Sequence, residues 1–281
     1  LYAACTNKNL ETVKYLIEKG VDANMGMDDV GMDGKTPLIH SIEQDSFEIV
    51  SFFIENKVVD VNKANNAGFT PISIALRSQR RKMLYAEVLV KAGANLDRSR
   101  NDGETPLSDA CYEGDLSVIK FLVEAGANLN KANKKGFTPL HKAIWRGFVE
   151  VSKYLLLKGA DVEARSNDGY TPLTLAARNG IFGILGPLID KAVDLDKSTN
   201  SGDTPFILAM WNGHSDIAHY LVERGCDWKL KNKKGGTGGD WARKRGNEKL
   251  ANWIDEKDPN SVHSCLKRGN CSNEVAESDR F

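Results

Sequence analysis

The chain has 281 residues, 41% of them hydrophobic and 27% charged, and its 38 Lys and Arg residues balance 38 Asp and Glu. A neutral total argues for neither a nucleic-acid backbone nor an anionic membrane as partner, and no run approaches the roughly 20 consecutive apolar residues that cross a bilayer. The first residues lack the basic and apolar regions of a secretory signal, so an intracellular protein is expected, cytoplasmic rather than nuclear.

One signature then recurs down the chain: Thr36-Pro37-Leu38, Thr70-Pro71-Ile72, Thr105-Pro106-Leu107, Thr138-Pro139-Leu140, Thr171-Pro172-Leu173 and Thr204-Pro205-Phe206. The steps are 34, 35, 33, 33 and 33 residues, with another 33 to the degenerate Thr237-Gly238-Gly239. Such self-similarity marks a stack of units, each burying its apolar faces against its neighbours, and one elongated domain is expected.

In chain order the units are 1–31, 32–65, 66–100, 101–133, 134–166, 167–199, 200–232 and 233–258. The first is partial, because Leu1-Tyr2-Ala3-Ala4 matches the middle of a repeat, and a segment upstream of it is expected. Its loop is lengthened by Met25-Gly26-Met27-Asp28-Asp29-Val30-Gly31-Met32-Asp33: Asn24 to Gly34 spans ten positions where Asn130 to Gly136 spans six. The three Met and three Asp suit an apolar or basic partner surface, or the loop is simply mobile. In the third unit Ser78-Gln79-Arg80-Arg81-Lys82-Met83 interrupts the usual short connection and, with Arg77, makes a basic patch.

The fifth unit shows the local grammar most clearly. Lys135-Gly136 is a turn; Thr138 caps a helix whose first residue is Pro139, where the missing N–H removes no helical hydrogen bond. Leu140, Ala143 and Ile144 form the apolar stripe of this short helix, and Gly147 ends it. Val149 to Lys158 restarts the helical period, Gly159 stops it, and Ala160-Asp161-Val162-Glu163 leads into the next loop. Each unit therefore reads as two antiparallel helices plus a projecting hairpin-like loop.

The last unit has lost the Pro and Leu of its signature. Trp241, Ala242, Leu250, Trp253 and Ile254 alternate there with charged residues, as expected of a terminal cap with one wetted face. Residues 259–281 form a polar tail rich in Ser and Asn, read as a linker or disordered end.

The form Asp168-Gly169-Tyr170-Thr171-Pro172-Leu173, followed by Ala176-Ala177-Arg178-Asn179-Gly180, and the form Gly126-Ala127-Asn128-Leu129-Asn130 resemble the ankyrin repeat. The likeness covers about 255 of the 281 residues. It implies an all-α fold with projecting β-hairpin-like loops, an ankyrin-repeat solenoid. It also implies a non-catalytic protein-protein interaction scaffold, using its fingers and the concave groove formed by its first helices. The resemblance further makes Asn24, Asn62 and Asn130 candidate targets of an asparagine hydroxylase, or residues kept for local backbone hydrogen bonds.

Positions that vary between repeats are those released from stacking. The residue after the turn Gly runs Lys35, Phe69, Glu104, Phe137, Tyr170, Asp203 and Gly236; the residue five places after the signature Leu runs Thr6, Glu43, Arg77, Tyr112, Trp145, Arg178 and Trp211. Rings and Arg are the usual anchors of protein interfaces. The partner-binding candidates are Phe69, Arg77, Glu104, Tyr112, Phe137, Trp145, Tyr170, Arg178, Asp203 and Trp211, unless the rings instead pack on neighbouring helices.

Catalytic residues, metal ligands and cofactors are not expected. His40, His141, His214, His219 and His263 have no metal-ligand spacing, and His141 fits a structural hydrogen bond at its turn. No nucleophile elbow or kinase signature occurs, and Gly235 to Gly239 lacks the terminal Gly-Lys-Ser/Thr of a phosphate loop. Cys5, Cys111, Cys226, Cys265 and Cys271 occupy no repeat position and form no disulfide framework, which suits a reducing compartment; a Cys265–Cys271 bridge and free thiols both stay open.

The expected partner is another protein. Two further classes stay open: the regulatory or targeting portion of a larger enzyme, channel or pathogen effector, with further domains of the same full-length chain as partners, and a small-molecule sensor clamping between Trp145, Tyr170 and Arg178.

Overall fold

The computed structural model describes residues 1–27, 33–78 and 80–257. Asp28 to Met32 of the acidic insertion, Gln79 of the basic connection, and the tail from Asp258, with His263, Cys265 and Cys271, lie outside the described residues. The chain divides into two compact units, Leu1–Arg146 and Gly147–Phe281.

The first unit contains α1 (Tyr2–Thr6), α2 (Leu10–Glu18), α3 (Pro37–Glu43), α4 (Phe47–Glu55), α5 (Pro71–Arg77), α6 (Lys82–Lys91), α7 (Pro106–Glu113), α8 (Leu116–Glu124) and α9 (Pro139–Trp145). The second contains α10 (Val149–Leu157), α11 (Pro172–Asn179), a 3-10 turn (Phe182–Ile184), α12 (Leu185–Ile189), α13 (Pro205–Asn212), α14 (Ser215–Glu223), α15 (Gly238–Lys244) and α16 (Glu248–Lys257). The fold is all-α, and the loops contribute an antiparallel bridge between Met27 and Lys35.

Each signature Thr does what its chemistry suggests. Thr36, Thr70, Thr105, Thr138, Thr171, Thr204 and Thr237 are extended, and each hydroxyl accepts the backbone N–H three residues on. A side-chain cap satisfies one of the donors that a helix start leaves unpaired, worth about 1 kcal/mol. At Thr105, Thr138, Thr171 and Thr237 the bond is returned by Ser108, His141, Thr174 and Asp240. His141 is wholly buried, and its Nδ1 lies 2.9 Å from the Thr138 hydroxyl.

Stacking follows from side-chain size. Ser41, Ala75, Ala110, Ala143, Ala176, Ala209 and Ala242 stand at one repeat position, all buried, and let successive first helices approach closely. These pack as α3 on α5, α5 on α7 and α7 on α9 in the first unit, and α11 on α13 and α13 on α15 in the second. The second helices supply the bulk, among them Ile49, Val50 and Phe53 on α4, Val118, Ile119 and Leu122 on α8, and Ile217 and Leu221 on α14. A fully buried side chain of this size contributes about 1.5–3 kcal/mol.

Neighbouring fingers are tied base to base. Asn24 Oδ1 accepts the Asp60 N–H at 2.6 Å, Asn62 Oδ1 the Asn95 N–H at 2.6 Å and Asp97 Oδ1 the Asn128 N–H at 2.8 Å. In the second unit Glu163 Oε1 takes the Asp194 N–H at 3.0 Å and Asp196 Oδ1 the Asp227 N–H at 2.9 Å. Asn24 and Asn62 are thus rungs of a polar ladder to the next repeat.

Two repeats depart from the common grammar. In the 167–199 repeat the second helix is broken into the 3-10 turn and α12, where Gly183 lies against Val149 and Pro187 stands in the first turn of α12. There a missing N–H costs no internal bond. In the last repeat a Cβ on Gly238 would come within 2.4 Å of Phe206 Cε1, so the lost Pro is the condition for seating α15 against α13.

Candidate functional site

In the first unit the finger residue Phe69 lies under two guanidiniums, Arg77 at 5.2 Å and Arg100 at 4.7 Å from the ring centre. Both cations are held by one carboxylate. Arg100 Nη2 donates to Asp109 Oδ1 at 2.8 Å, and Arg77 Nη1 stands 3.6 Å from Asp109 Oδ2. Burial lifts the Asp109 carboxyl above its ordinary range despite the two guanidiniums that pull it down. A 630 Å3 cavity opens beside this cluster, lined by Leu76, Arg77, Lys82, Asp109, Glu113 and Asp115 among others. Lys82 is paired with Asp115; burial opposes the Asp115 charge, but Lys82, the Ser117 hydroxyl and the Val118 N–H bring its carboxyl down to about 2.

Further along the same unit Tyr112 and Trp145 project from α7 and α9 and are 40% and 47% exposed. Tyr112 carries Arg146 over its face at 4.7 Å and Lys142 at 5.6 Å. Trp145 meets the edge of Phe137 at 5.9 Å, and Phe137 also packs edge-on against His141 at 5.6 Å.

Glu104 behaves differently from its column. It is only 8% exposed, and its carboxylate accepts from Asn133 Nδ2 at 2.6 Å and Ser108 Oγ at 2.7 Å while pairing with Lys142. Its charge binds one repeat to the next, and a partner meets little of it. Asp203 is half-buried and takes a hydrogen bond from Asn232 Nδ2 at 2.6 Å, the counterpart in the second unit of the Asn133–Glu104 bond.

In the second unit Tyr170 and Arg178 meet directly: Arg178 Nη1 donates to the Tyr170 hydroxyl at 2.9 Å, with the guanidinium 5.1 Å from the ring centre. Trp211 stands edge-on to Trp241 at 4.9 Å, under Arg245 at 4.5 Å. Lys244 and Lys234 lie over Trp241 at 5.0 and 5.9 Å. Tyr170, Arg178, Trp211, Lys234, Trp241 and Arg245 line a 290 Å3 cavity together with Asp203 and Asn232.

Thus Trp241 is buried, while the other rings are partly exposed and most carry a cation on one face. Contacts of this kind are worth about 0.5–1 kcal/mol where exposed and more when water is excluded. Trp145 of the sensor clamp belongs to the first unit and pairs with Phe137, while Tyr170 and Arg178 form their own pair in the second.

Residue-by-residue column reading passed over Arg100, Lys142, Arg146, Lys234, Trp241 and Arg245. A signal for two of them was present: Arg146 follows Tyr112, and Arg245 follows Trp211, by 34 residues. That is one repeat plus one position, which sets a cation beside the ring of the preceding repeat.

The remaining reactive groups are occupied structurally. His214 Nε2 lies 3.2 Å from the Arg178 carbonyl oxygen, its ring under Gly180. At the glycine-rich start of α15, Asp240 Oδ2 accepts the Thr237 N–H at 2.8 Å. Cys5, Cys111 and Cys226 are free and buried; burial, with Asp196 and Asp227 adding, pushes the Cys226 thiol up to about 12. Such a thiol carries almost no thiolate at neutral pH. Among the described residues no group of three or more His, Cys, Asp and Glu is placed to hold a metal ion. Nor is any helix among them long and apolar enough to cross a membrane.

Comparison with known families matches "Ankyrin repeats (3 copies)" over residues 1–100, 85–166 and 153–232. Among curated proteins, an ankyrin repeat protein of fowlpox virus (strain NVSL) is 32% identical over 122 residues, 43% of this chain and 35% of the viral protein. The transient receptor potential cation channel subfamily A member 1 of Homo sapiens is 25% identical over 114 residues, 41% of this chain and 10% of the channel. The matched segment is thus about a third of the one relative and a tenth of the other.

Proposed function

Because the chain belongs to the ankyrin-repeat family, we propose that it is a non-catalytic scaffold that binds another protein through the ring-and-cation surfaces of its two units. Ankyrin repeats generally mediate protein–protein interaction, and the family is typically non-catalytic. The observation that carries the reading is that large rings recur at positions the stack does not require, exposed at Tyr112 and Trp145 and half-buried at Tyr170 and Trp211. Phe69, Arg77, Tyr112, Phe137 and Trp145 are the contact residues of the first unit; Tyr170, Arg178, Asp203 and Trp211 are those of the second. Glu104 positions Lys142 under Tyr112.

The mechanism is binding alone. Caps and finger ladders hold the side chains in place beforehand, so little freedom is lost on association. Repeats 1–258 act as one array with the last as its cap, and the protein works in the cytoplasm, where its cysteines stay reduced.

A second reading follows from the relatives, in which the matched segment is a minor part of a longer protein. On it, these repeats are the regulatory or targeting portion of a larger enzyme, channel or pathogen effector. The full open reading frame separates the two.

The test is quantitative capture from native extract. The intact chain is compared with a Tyr112→Ala/Trp145→Ala variant, a Tyr170→Ala/Trp211→Ala variant and a Tyr15→Ala control, all checked for helicity. Selective loss of a protein with either ring variant, and its retention by the control, is expected. Equal recovery by all four overturns the reading.

A further inference from the structure

We propose that the cavity of the second unit is a receptor for an acidic peptide segment of another protein, its carboxylates meeting Arg178, Lys234 and Arg245 and an adjoining aromatic or aliphatic side chain lying against Trp211 and Trp241. The inference rests on the protein-binding reading above and names the partner chemistry of one of its two surfaces.

Charge is the first argument. Although the whole chain is neutral, residues 228–257 carry nine Lys and Arg against four Asp and Glu. A local excess of one sign steers partners of the opposite sign and selects against like charge. Among the described residues Asp203 is the one acidic side chain lining the cavity, and it is already bonded to Asn232. Among the described residues neither Lys234 nor Arg245 has a carboxylate at ion-pair distance; both rest on rings instead.

Geometry is the second argument. A guanidinium over a ring keeps its in-plane N–H fork for a planar acceptor, which a carboxylate supplies. Arg245 over Trp211 has that arrangement. The edge-on Trp211 and Trp241 form an apolar corner next to it, with Trp241 only 8% exposed and therefore fixed. The fixing extends to the backbone: a Cβ on Gly236 would come within 2.7 Å of Trp241 Nε1, so the glycine allows the indole to seat. At 290 Å3 the space lies just under the roughly 300–1,000 Å3 of small-molecule sites, which suits one or two side chains of a peptide.

The larger cavity of the first unit makes the contrast. Its cations, Arg77 and Lys82, already face Asp109 and Asp115, so an acidic partner would find both engaged.

The experiment is fluorescence anisotropy on the full chain with a labelled dodecapeptide of repeating Glu-Glu-Phe, compared with Gln-Gln-Phe and Glu-Glu-Ala peptides. The protein variants are Arg178→Ala/Arg245→Ala, the conservative Arg178→Lys/Arg245→Lys, Lys234→Glu, and Tyr15→Ala in the first unit, each verified by circular dichroism. Saturable binding of the Glu-Glu-Phe peptide is expected, weakening as NaCl rises. Each control peptide, the Arg-to-Ala pair and Lys234→Glu should lose at least about tenfold in affinity; the Lys pair should recover part of it, and the first-unit variant should match the parent.

Equal binding of the Gln-Gln-Phe peptide, or indifference to the Arg and Lys234 substitutions, overturns the proposal. So does preference for phosphatidylserine vesicles over the peptide. Binding that emerges only after removal of residues 258–281 also overturns it, by making the chain's own Glu274 to Phe281 the occupant. A protein captured through Tyr112 and Trp145 while the acidic peptide fails sinks this inference and leaves the scaffold reading standing. Failure of all capture with peptide binding intact does the reverse.

Discussion

Restoring the missing Pro-Leu chemistry of the last repeat should harm it, and Gly238→Ala is the smallest substitution that shows this. By local propensity alone the change is favourable, because Ala is better than Gly in a helix by up to about 1 kcal/mol. The structure opposes it: the new Cβ would lie 2.4 Å from Phe206 Cε1, 2.8 Å from Cδ1 and 3.0 Å from Met210 Cγ. Phe206 is one of the largest fully buried side chains, so its ring has nowhere to swing. Overpacking of this kind costs about 1–3 kcal/mol, and so close a contact belongs in the upper half of that range. The net expectation is a loss of about 1–2 kcal/mol, or roughly 2–4 °C in Tm for each kcal/mol. The adjacent Gly239→Ala is the control. Its Cβ would first meet Ile254 Cγ2 at 3.1 Å, a contact a small shift relieves, so the helical gain should survive and leave stability unchanged or raised. Urea unfolding followed by both circular dichroism and Trp fluorescence reads the comparison, with Trp241 and Trp253 carrying the last repeat's share of the signal from the chain's five Trp. A Gly238→Ala protein as stable as the parent, or the two variants behaving alike, would refute the argument that the glycines exist for packing.

Three other outcomes follow. Glu104→Ala leaves Lys142 and Asn133 facing a gap, and since hydrogen bonds to charged groups contribute about 1.5–3 kcal/mol, urea titration should show a loss of about 2–4 kcal/mol, with Glu104→Gln less than half as damaging. Burial, with Lys35 adding and Glu43 opposing, holds the His40 imidazole below its ordinary 6.5. The unfolded chain then takes up the proton first as pH falls through 6.5, so stability should decline from there and level off once the folded side chain also protonates. His40→Asn should flatten that window in urea midpoints measured from roughly pH 7.5 to 5.5. Cys5, Cys111 and Cys226, buried and with thiols raised above their ordinary range, should resist iodoacetamide in the folded chain and react in urea, read by mass spectrometry.

The helical grammar was legible because it is local. Thr138 caps, Pro139 starts and Gly147 follows the end of α9, and each does so through interactions within a few residues, repeated at a fixed step. Departures were harder to read where their cause lies in another repeat. Nothing near Gly238 announces Phe206, which is 32 positions earlier, so the glycines read as a decayed signature when they are the fitted part of a contact. The broken second helix of the sixth repeat likewise turns on Gly183 meeting Val149.

The candidate surface was half legible for the same reason. Column variation picked out Tyr112, Trp145, Tyr170 and Trp211 because released positions differ between repeats while stacking positions do not. It treated each column as if its members acted alone. The structure sets Arg146 over Tyr112 and Arg245 over Trp211, so the chemical unit is a ring with a cation from the next repeat. Glu104 shows the converse error: its variability within a column suggested freedom, yet its charge is consumed by Asn133 at the end of its own repeat and by Lys142 of the following one. In a stacked array a position is therefore read correctly only together with its neighbour one repeat on. By that rule Lys234 and Arg245, which among the described residues have no carboxylate at ion-pair distance, mark the proposed surface where a partner's acidic side chains complete the pairing.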